Sequence, residues 1–487
     1  MADKIRGAKA AGPAVKEGGG GGIEKIDITS NEDESKQVSV TNATAAFLYY
    51  ESILQDSVRA TVTFTDTGGS VDDKTAMEGL PIVGQENVKI QVRDNNDNEL
   101  KMTLYVNSVT PLAEDSRSSI VQLDLASKEF IMNEKVRINK RFNGKISDHV
   151  KKVLEESIYL GTEKEIDIEE TSNEQNYIGN NKKPFYIINW LSRGAVPKDG
   201  SLGNTAGYFF WETSEKFYFK SIDSLMDTET NKPKKAYLYN ETPIEDDSQF
   251  LSAEYDAKAL AYSINNKVNI QDKLKMGAYS TRIIMFDPYT TKYEVVNPNA
   301  GNTPGSDASS EGNEKNLKLA GKNLPVLNEE FNKTEPGKEF SRTTFMVLDK
   351  GALVSGSGAG EGQEQIEKSK KENYEPGVVL NQGIQRMNQL FALEASITIV
   401  GDFSLHAGDA LFVDIATLKA DTKGDDINEK DGGVYIISDL THYISKKETY
   451  TKINLVRDST GRKGNHAFRK GTNAHTIMQD GFAANIK

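Results

Sequence analysis

The fold is decided by three stretches near the end of the chain, LEASITIVGDFSLHAGDALFVDI (393–415), DGGVYIISDLTHYI (431–444) and YTKINLVRDS (450–459). Each contains segments in which apolar residues alternate with polar or small ones, and short turns rich in Gly and Asp separate the segments. Because successive side chains of a strand point to opposite faces, this alternation gives each strand one apolar and one polar face. The pattern predicts antiparallel strands that curl around a core as a small β-barrel.

Glycine and aspartate mark the turns between these strands. Glycine adopts positive φ angles without steric strain, so it is favoured where the chain reverses sharply. We therefore predict structural turn positions at Gly401, Gly408, Asp409, Gly432 and Gly433. If Gly408 has a positive φ, its replacement by valine is expected to destabilise the fold by about 1–3 kcal/mol through backbone strain.

A second strand-rich region lies between residues 23 and 135 and is predicted to be a first β-barrel. Val58–Phe64 places apolar side chains on one face, which is typical of a half-buried strand. The acidic run Asp94–Glu99 is predicted to be a hairpin turn rather than a calcium loop, because it lacks the glycine and the distal glutamate of such a loop. Leu123–Glu129 is expected to be the strand that completes this region.

The apolar spacing becomes helical after this region. Apolar residues between Val150 and Ile158 recur at helical spacing, which predicts a helix over residues 147–158. His149 has no second histidine or cysteine beside it and is expected on the surface of that helix. Pro184 begins a second predicted helix, over 184–193, since proline is tolerated at the first helical position.

An aromatic hairpin is predicted over residues 208–220, with its turn at Thr213–Lys216. Such aromatic residues invite a ligand-cage or base-stacking interpretation, but their alternation within a strand pair favours packing across the strands in a core. We predict an aromatic core that consists of Trp190, Phe209, Trp211, Phe217 and Phe219.

The whole chain is predicted to have a β-rich α+β fold with six parts. They are a flexible Gly-rich arm (1–22), a first β-barrel (23–135), an α+β domain (136–235), strands with long Gly-rich loops (236–376), a helix with a second β-barrel (377–458) and an extended tail (459–487). Within the fourth part, the strands of Gln249–Lys258 and Thr281–Val296 are expected to complete the second barrel.

Composition excludes several classes of protein. The 487 residues include 72 Asp and Glu against 59 Lys and Arg, a net charge of −13, which argues against a general binder of nucleic acid or anionic membranes. There is no cysteine, so a disulfide scaffold and a thiolate metal site are both excluded. No apolar run reaches the roughly 20 residues of a membrane-spanning helix, and the N-terminal stretch lacks a secretory apolar core. We expect synthesis in the cytoplasm and no membrane insertion.

No residues form a recognisable catalytic, cofactor or metal site. Five histidines are scattered without metal-ligand spacing: His149, His406, His442, His466 and His475. The chain lacks a Gly-x-Ser-x-Gly elbow, and Ser355–Gly362 fails as a nucleotide loop because Glu361 stands where the third glycine is needed. We therefore predict a protein that is not an enzyme and has no cofactor.

Several of these segments resemble the central baseplate hub proteins of contractile-tailed bacteriophages. The resemblance rests on the strands and turns of 393–459 quoted above and on GLPIVGQENVKIQV (79–92). It is most specific at Lys183–Leu225, where a helix with Pro-Phe and Trp-Leu precedes YFFWET (208–213) and FYFKSIDSL (217–225). It covers residues 25–458, and the Gly-rich loops and the tail have no counterpart in it.

The resemblance implies a structural virion protein whose two barrels are of the tail-tube type, with helix-containing α+β domains between them. Such a hub is a homotrimer that adapts a hexameric tail tube to a trimeric central spike. The tail tube protein, the spike, the tape-measure protein and the baseplate wedge proteins are the expected partners. DNA is expected only to pass through the channel during ejection, and the acidic net charge agrees in sign with that role.

A carbohydrate-binding protein rich in β-strands, secreted or on a cell surface, is the alternative. It predicts a signal segment and clustered exposed aromatic residues, together with glycan binding by a monomer. A cell-wall hydrolase is a further alternative, which needs two carboxylates at a defined separation in a cleft.

Overall fold

The computed structural model describes most of the chain. The described residues are 22–69, 74–94, 96–115, 117–198, 206–227, 230–239, 259–266, 270–277, 281–288, 291–296, 342–348, 376–391, 393–415, 432–446 and 448–457. Residues 1–21 of the predicted arm, the predicted strand Gln249–Lys258, the Gly-rich loops of 297–312 and 355–375, and the predicted tail lie outside these residues.

The described residues form strands and a smaller number of helices. The strands are β1 Gly22–Thr29, β2 Gln37–Ser39, β3 Thr44–Ser52, β4 Arg59–Asp66, β5 Asn87–Arg93, β6 Glu99–Glu114, β7 Ser119–Ala126, β8 Arg141–Phe142, β9 Glu165–Ile168, β10 Tyr177–Ile178, β11 Tyr208–Glu212, β12 Lys216–Ser221, β13 Lys235–Tyr239, β14 Ala261–Asn266, β15 Thr281–Asp287, β16 Lys292–Val296, β17 Arg342–Val347, β18 Leu393–Val400, β19 Ala410–Ile415, β20 Gly433–Ser445 and β21 Thr449–Arg457. The helices are α1 Ala76–Gly79, α2 Lys128–Lys135, α3 Ile146–Glu155, α4 Pro184–Ser192, α5 Ile222–Met226, α6 Ile270–Met276 and α7 Pro376–Leu390.

Strands β1–β7 form the first unit, an antiparallel sheet in the order β3-β4-β7-β6-β5-β1-β2. Apolar residues alternate along β4, and its inward face is buried at Ala60, Val62 and Phe64. The sheet curls so that β1 approaches the start of β3. The backbone N–H of Ile26 on β1 donates to Oγ1 of Thr41, just before β3, at 2.8 Å. The predicted hairpin turn at Asp94–Glu99 joins β5 to β6.

The second unit consists of β13, β14 and β18–β21, in the order β13-β19-β20-β21-β18-β14. All its pairings are antiparallel except that of β13 with β19. Its two ends approach each other, since the rings of Tyr239 on β13 and Tyr262 on β14 lie 5.4 Å apart. Burial alternates along β18 as the sequence does, and the inward residues of β18, β20 and β21 share one core.

The two units are joined side by side into one sheet of thirteen strands. The second half of β20 pairs antiparallel with β3, from Asp439 opposite Ser52 to Ser445 opposite Ala46. This pairing satisfies strand edges that both units would otherwise expose. The prediction of a β-rich α+β fold is confirmed.

An α+β domain lies between the two units in sequence. Its strands pair as β11-β12-β9 and β10-β8, and helices α3 and α4 pack with them around an aromatic core. Helix α3 ends at Glu155 rather than at residue 158, because the chain then turns inward to bury Tyr159 and Leu160. Ile158 is left exposed as a result.

Three local predictions, each from a different part of the chain, are wrong. Leu123–Glu129 is not a single strand, since Ser127 accepts the N–H of Phe130 and begins helix α2. His149 is buried rather than exposed, with Nε2 3.0 Å from the carbonyl oxygen of Gln175. Thr281–Val296 does form a hairpin, but it belongs to a separate sheet, β16-β15-β17, and β13 and β14 complete the second unit instead.

Candidate functional site

The turn between β18 and β19, residues 401–409, lies where the two units and the α+β domain meet. Gly401 passes so close to β21 that a Cβ atom there would lie 2.2 Å from Cγ2 of Thr449. Gly408 has a φ of +90°, and a Cβ atom there would lie 2.6 Å from Cζ2 of Trp211. Asp409 closes the turn, because its Oδ2 accepts the N–H of His406 at 2.8 Å. Both glycines are therefore required by close contacts, and Gly408 is required by its positive φ as well.

Glu51, at the end of β3, is the centre of this junction. Its buried carboxylate accepts the hydroxyl of Tyr49 at 2.7 Å and the N–H of Ser214, in the β11–β12 turn, at 3.1 Å. It also accepts the N–H of Ala407 at 2.9 Å, and its Oε1 lies 3.1 Å from Nδ1 of His406. One side chain thus binds groups from the first unit, the α+β domain and the second unit. We call Glu51, His406 and Asp409, with the groups bound to them, the junction network.

The charges of the junction network are matched. Burial disfavours the charged form of His406, but the carboxylate of Glu51 more than offsets it and raises the pKa of His406 to about 9. Burial likewise opposes the ionised form of Glu51, yet His406 and the surrounding donors hold its pKa below the usual value. At neutral pH the two form a buried ion pair whose remaining lone pairs are hydrogen-bonded.

The α+β domain is tied to the same place by β11. The indole N–H of Trp211 donates to the carbonyl oxygen of Ala407 at 3.0 Å, and its ring stacks on Tyr218 at 4.9 Å. The neighbouring Glu212 accepts the backbone N–H of Val58, in the first unit, at 3.0 Å and the ammonium of Lys164 at 2.7 Å. The bonds to Ala407 and Val58 fix the orientation of the α+β domain against the second and the first unit, respectively.

The turn at 401–409 also contacts strand β13 and the β5–β6 turn. Asp402 accepts the hydroxyl of Tyr237, on β13, at 3.0 Å and binds the ammonium of Lys235. Asp94, at the start of the β5–β6 turn, accepts the N–H of Phe403 at 2.8 Å. The turn therefore contacts the β5–β6 turn of the first unit and the edge strand of the second unit, so it connects the two units.

The predicted turn positions fall into two groups in the structure. Gly401, Gly408 and Asp409 lie in the junction, whereas Gly432 and Gly433 lie at the start of β20, where Gly433 has a φ of +125°. The carbonyl oxygen of Gly432 accepts a guanidinium N–H of Arg457 at 2.8 Å, and that guanidinium lies over the ring of Tyr435. These two glycines thus shape the entry to β20 and do not touch the junction network.

The predicted aromatic core is divided between two clusters. Phe217 and Phe219 are buried on one face of the hairpin, in the core of the α+β domain, and Trp190 lies half-buried beside them. Phe209 and Trp211 face the other way and pack with residues of α5, α7 and β20. The hairpin is buried on both faces because the α+β domain uses one face internally and the second unit covers the other.

Sequence reasoning found Asp409 but missed Glu51 and His406. Glu51 follows the run Phe47-Leu48-Tyr49-Tyr50 of a strand, and by alternation it shares a face with Phe47 and Tyr49. An acid on such an apolar face is buried only with a partner, and this is the signal that could have found it. His406 stands out in the sequence only as one of five scattered histidines. Its partner lies 355 residues away in the chain, so spacing gives no indication of the pair.

Glu212→Gln is expected to flatten the pH dependence of the unfolding free energy between about pH 4.5 and 7. Burial raises the pKa of Glu212 from 4.5 to about 7, against the lowering effect of Lys164. A carboxyl with a raised folded pKa contributes stability that is complete below its unfolded pKa and is lost as the pH rises through 7. Urea unfolding across this range measures the effect. Glu165→Gln, at an exposed carboxylate on β9, is the control, and a variant profile parallel to the wild type contradicts the assignment.

Among solved structures, this chain is similar to tail proteins at low sequence identity. A tail protein from Neisseria meningitidis MC58 is 9% identical, with a TM-score of 0.47, over 91% of this chain and 99% of its own. The 43 kDa tail protein of prophage MuSo2 from Shewanella oneidensis is 10% identical, with a TM-score of 0.45, over 89% and 98%. The chain is similar to phage tail and baseplate proteins. An Escherichia coli component of the type VI secretion system is similar as well, at 10% identity and a TM-score of 0.40, over 86% of this chain and 74% of its own.

Comparisons based on the amino-acid sequence found no match. Neither a family model nor a curated protein matches the chain. Within the described residues, the helices are all too short or too polar to cross a membrane.

Proposed function

We propose that this chain is the central hub of a phage tail baseplate, a structural protein without catalytic function. The observation that carries the proposal is the side-by-side pairing of two β units within one chain, through β3 and β20. Three such chains in a closed ring present six β units, so one ring offers threefold symmetry to one partner and approximate sixfold symmetry to another. The sequence resemblance to baseplate hubs supports the same function.

In this proposal the ring adapts a hexameric tail tube to a trimeric central spike and leaves a channel through which DNA passes. The tail tube protein and the spike are the direct partners, and the tape-measure and wedge proteins are further contacts. The protein acts in the virion, after synthesis in the host cytoplasm.

The junction network has a defined task in such a ring. The angle between the two units decides whether successive units line up with the subunits of a hexameric tube. Small errors in that angle add up around the ring. Glu51 is bonded to groups from both units and from the α+β domain, and hydrogen-bonded buried pairs hold one geometry. We propose that the network fixes the angle between the units.

Light scattering of the purified chain on a sizing column tests the proposal, together with negative-stain imaging. The expected result is a particle of three times the 53.7 kDa of one chain, with a central hole. If the chain alone is monomeric, the measurement is repeated with the trimeric spike protein. A chain that stays monomeric with the spike present overturns the proposal.

A further inference from the structure

The α+β domain contains a run of basic residues that the proposed function does not use. Residues 135–145, with the sequence KVRINKRFNGK, include five basic residues and no acidic one. The chain as a whole has a net charge of −13, so this run is opposite in sign to the rest of the protein. A local concentration of one charge creates a surface potential that attracts a partner of the other charge.

The structure folds this run into one side of a short two-stranded ribbon. Strand β8 pairs antiparallel with β10, and the pairing continues in an isolated bridge between Ile138 and Lys182. Ile138 and Phe142 are buried in the core of the α+β domain. The polar residues around them are exposed, and they are Arg137, Asn139, Lys140, Arg141, Asn181 and Lys182. We call these six residues the basic ribbon.

Carboxylates do not neutralise the four cations of the basic ribbon. Among the described residues, none of these cations forms an ion pair, whereas the adjacent Lys183 is paired with Glu134. The ammonium of Lys182 instead lies over the ring of Tyr186 on α4, 5.1 Å from its centre. The positive potential of the basic ribbon is therefore not cancelled by its neighbours.

The composition of the basic ribbon is typical of a surface that binds nucleic acid. A protein–protein interface has an apolar centre and is depleted of lysine. Beside the basic ribbon, the exposed large apolar side chain among the described residues is Tyr186, at 54%. Interfaces with nucleic acid are polar and strongly positive, and Arg, Lys and Asn side chains bind phosphate and sugar in them. A single exposed ring beside such cations also suits the stacking of an unpaired base.

We propose that the basic ribbon binds the sugar-phosphate backbone of a nucleic acid, with Tyr186 as a stacking position for an unpaired base. The inference goes beyond the proposed hub, in which DNA only passes through a channel. The acidic net charge does not prevent such local binding, because in about 0.1 M salt a phosphate responds mainly to charges within about 10 Å. The binding is expected to be weak and to depend strongly on salt.

Fluorescence anisotropy of the full chain tests the inference, with a short labelled single-stranded DNA and with the duplex of the same sequence. Four phosphate contacts predict that the affinity falls about 50-fold for the single strand and about 150-fold for the duplex between about 50 and 200 mM salt. The two DNAs distinguish an unpaired strand from a double helix as the source of the backbone.

A double variant locates the binding on the chain. Lys140→Gln with Lys182→Gln removes two of the four cations and is expected to weaken the binding of both DNAs about tenfold at about 100 mM salt. Lys89→Gln with Lys452→Gln makes the same change of charge at exposed lysines of the first and second units. This control is expected to change the affinity less than about twofold, since its lysines lie on other strands. All four side chains are exposed, so the melting temperature of both variants should equal that of the wild type.

Tyr186→Ala separates stacking from backbone contact. It is expected to weaken the single strand about tenfold and to leave the duplex unchanged, because only an unpaired base can stack on the ring.

The outcomes separate this inference from the proposed function. No binding of either DNA at low salt overturns the inference, and so does equal weakening by the two double variants. A labelled peptide of glutamates that binds more tightly than both DNAs, and that the Lys140→Gln and Lys182→Gln variant releases, assigns the surface to an acidic protein segment and overturns the inference as well. These results leave the hub proposal intact, because that proposal is tested by the mass and shape of the particle. A chain that stays monomeric with the spike but binds DNA through the basic ribbon overturns the hub proposal alone.

Discussion

Gly408→Val is expected to lower the free energy of unfolding by about 4 kcal/mol, the sum of backbone strain and overpacking. Gly408 has a φ of +90°, which a β-branched residue adopts only under strain. Its added Cβ would also lie 2.6 Å from the buried ring of Trp211, which is held by its bond to Ala407 and cannot move aside. The effect thus exceeds the 1–3 kcal/mol expected from backbone strain alone.

The chain offers a matched control for this substitution. Gly69 has a φ of +89°, and a Cβ atom there would meet nothing within 4 Å. Gly69→Val therefore reports the backbone strain alone, about 1–2 kcal/mol. Denaturant unfolding of both variants measures the difference that belongs to Trp211. Equal losses in the two variants would show that the contact with Trp211 is relieved at no cost.

Glu51→Gln is expected to lower the free energy of unfolding by about 3–5 kcal/mol at neutral pH, because it leaves His406 buried without its charge partner. Surface pairs do not behave in this way, so Glu24→Gln, which removes an exposed partner of the half-buried Arg93, should cost less than about 1 kcal/mol. Equilibrium unfolding in urea measures both. A loss below 1 kcal/mol for Glu51→Gln would mean that the junction relaxes and lets water reach His406.

The pH profile distinguishes the ion pair from a simple loss of packing. The folded pKa of His406, about 9, lies above its unfolded value of 6.5, so its contribution is complete below pH 6.5 and is lost as the pH rises through 9. The folded pKa of Glu51 is lowered, so its contribution is present above pH 4.5 and is lost as the pH falls. The wild type should weaken between pH 6.5 and 9, and Glu51→Gln should not. A Glu212→Gln background keeps the titration of Glu212 out of this range.

These two predictions bear on the proposed ring as well as on stability. A variant that unfolds cooperatively but forms rings of irregular size would separate the angle between the units from the stability of each unit. Glu51→Gln is the suitable variant for imaging, because its side chain has the same shape and only the charge is lost.

The strands were largely predictable because their signal is local. Alternation in β4 and in β18–β21 follows from neighbouring residues alone, since one buried face is enough to impose it. The hairpin at Thr281–Val296 was found in the same way, but its assignment to the second unit was wrong. Local pattern gives a strand and its faces, and it does not give the partner that the strand pairs with.

The burial of particular polar residues was also not predicted from the sequence. His149 is expected at the surface by its residue type, yet it packs edge-on against Phe142 and Tyr177 and keeps a hydrogen bond. The pair of Glu51 and His406 was missed for the same reason, because a buried charge is stable only with a partner that the fold supplies.

The sequence by itself determined the β-rich class, the positions of most strands, the aromatic hairpin and the glycine turns, since each depends on residues close together in the chain. Only the tertiary structure decided that β3 pairs with β20, that β13 and β14 complete the second unit, and that Glu51 meets His406. These contacts join residues hundreds of positions apart, and many alternative pairings satisfy the same local patterns. Which one forms depends on how whole sheets fit against each other, and that fit is a property of the folded chain.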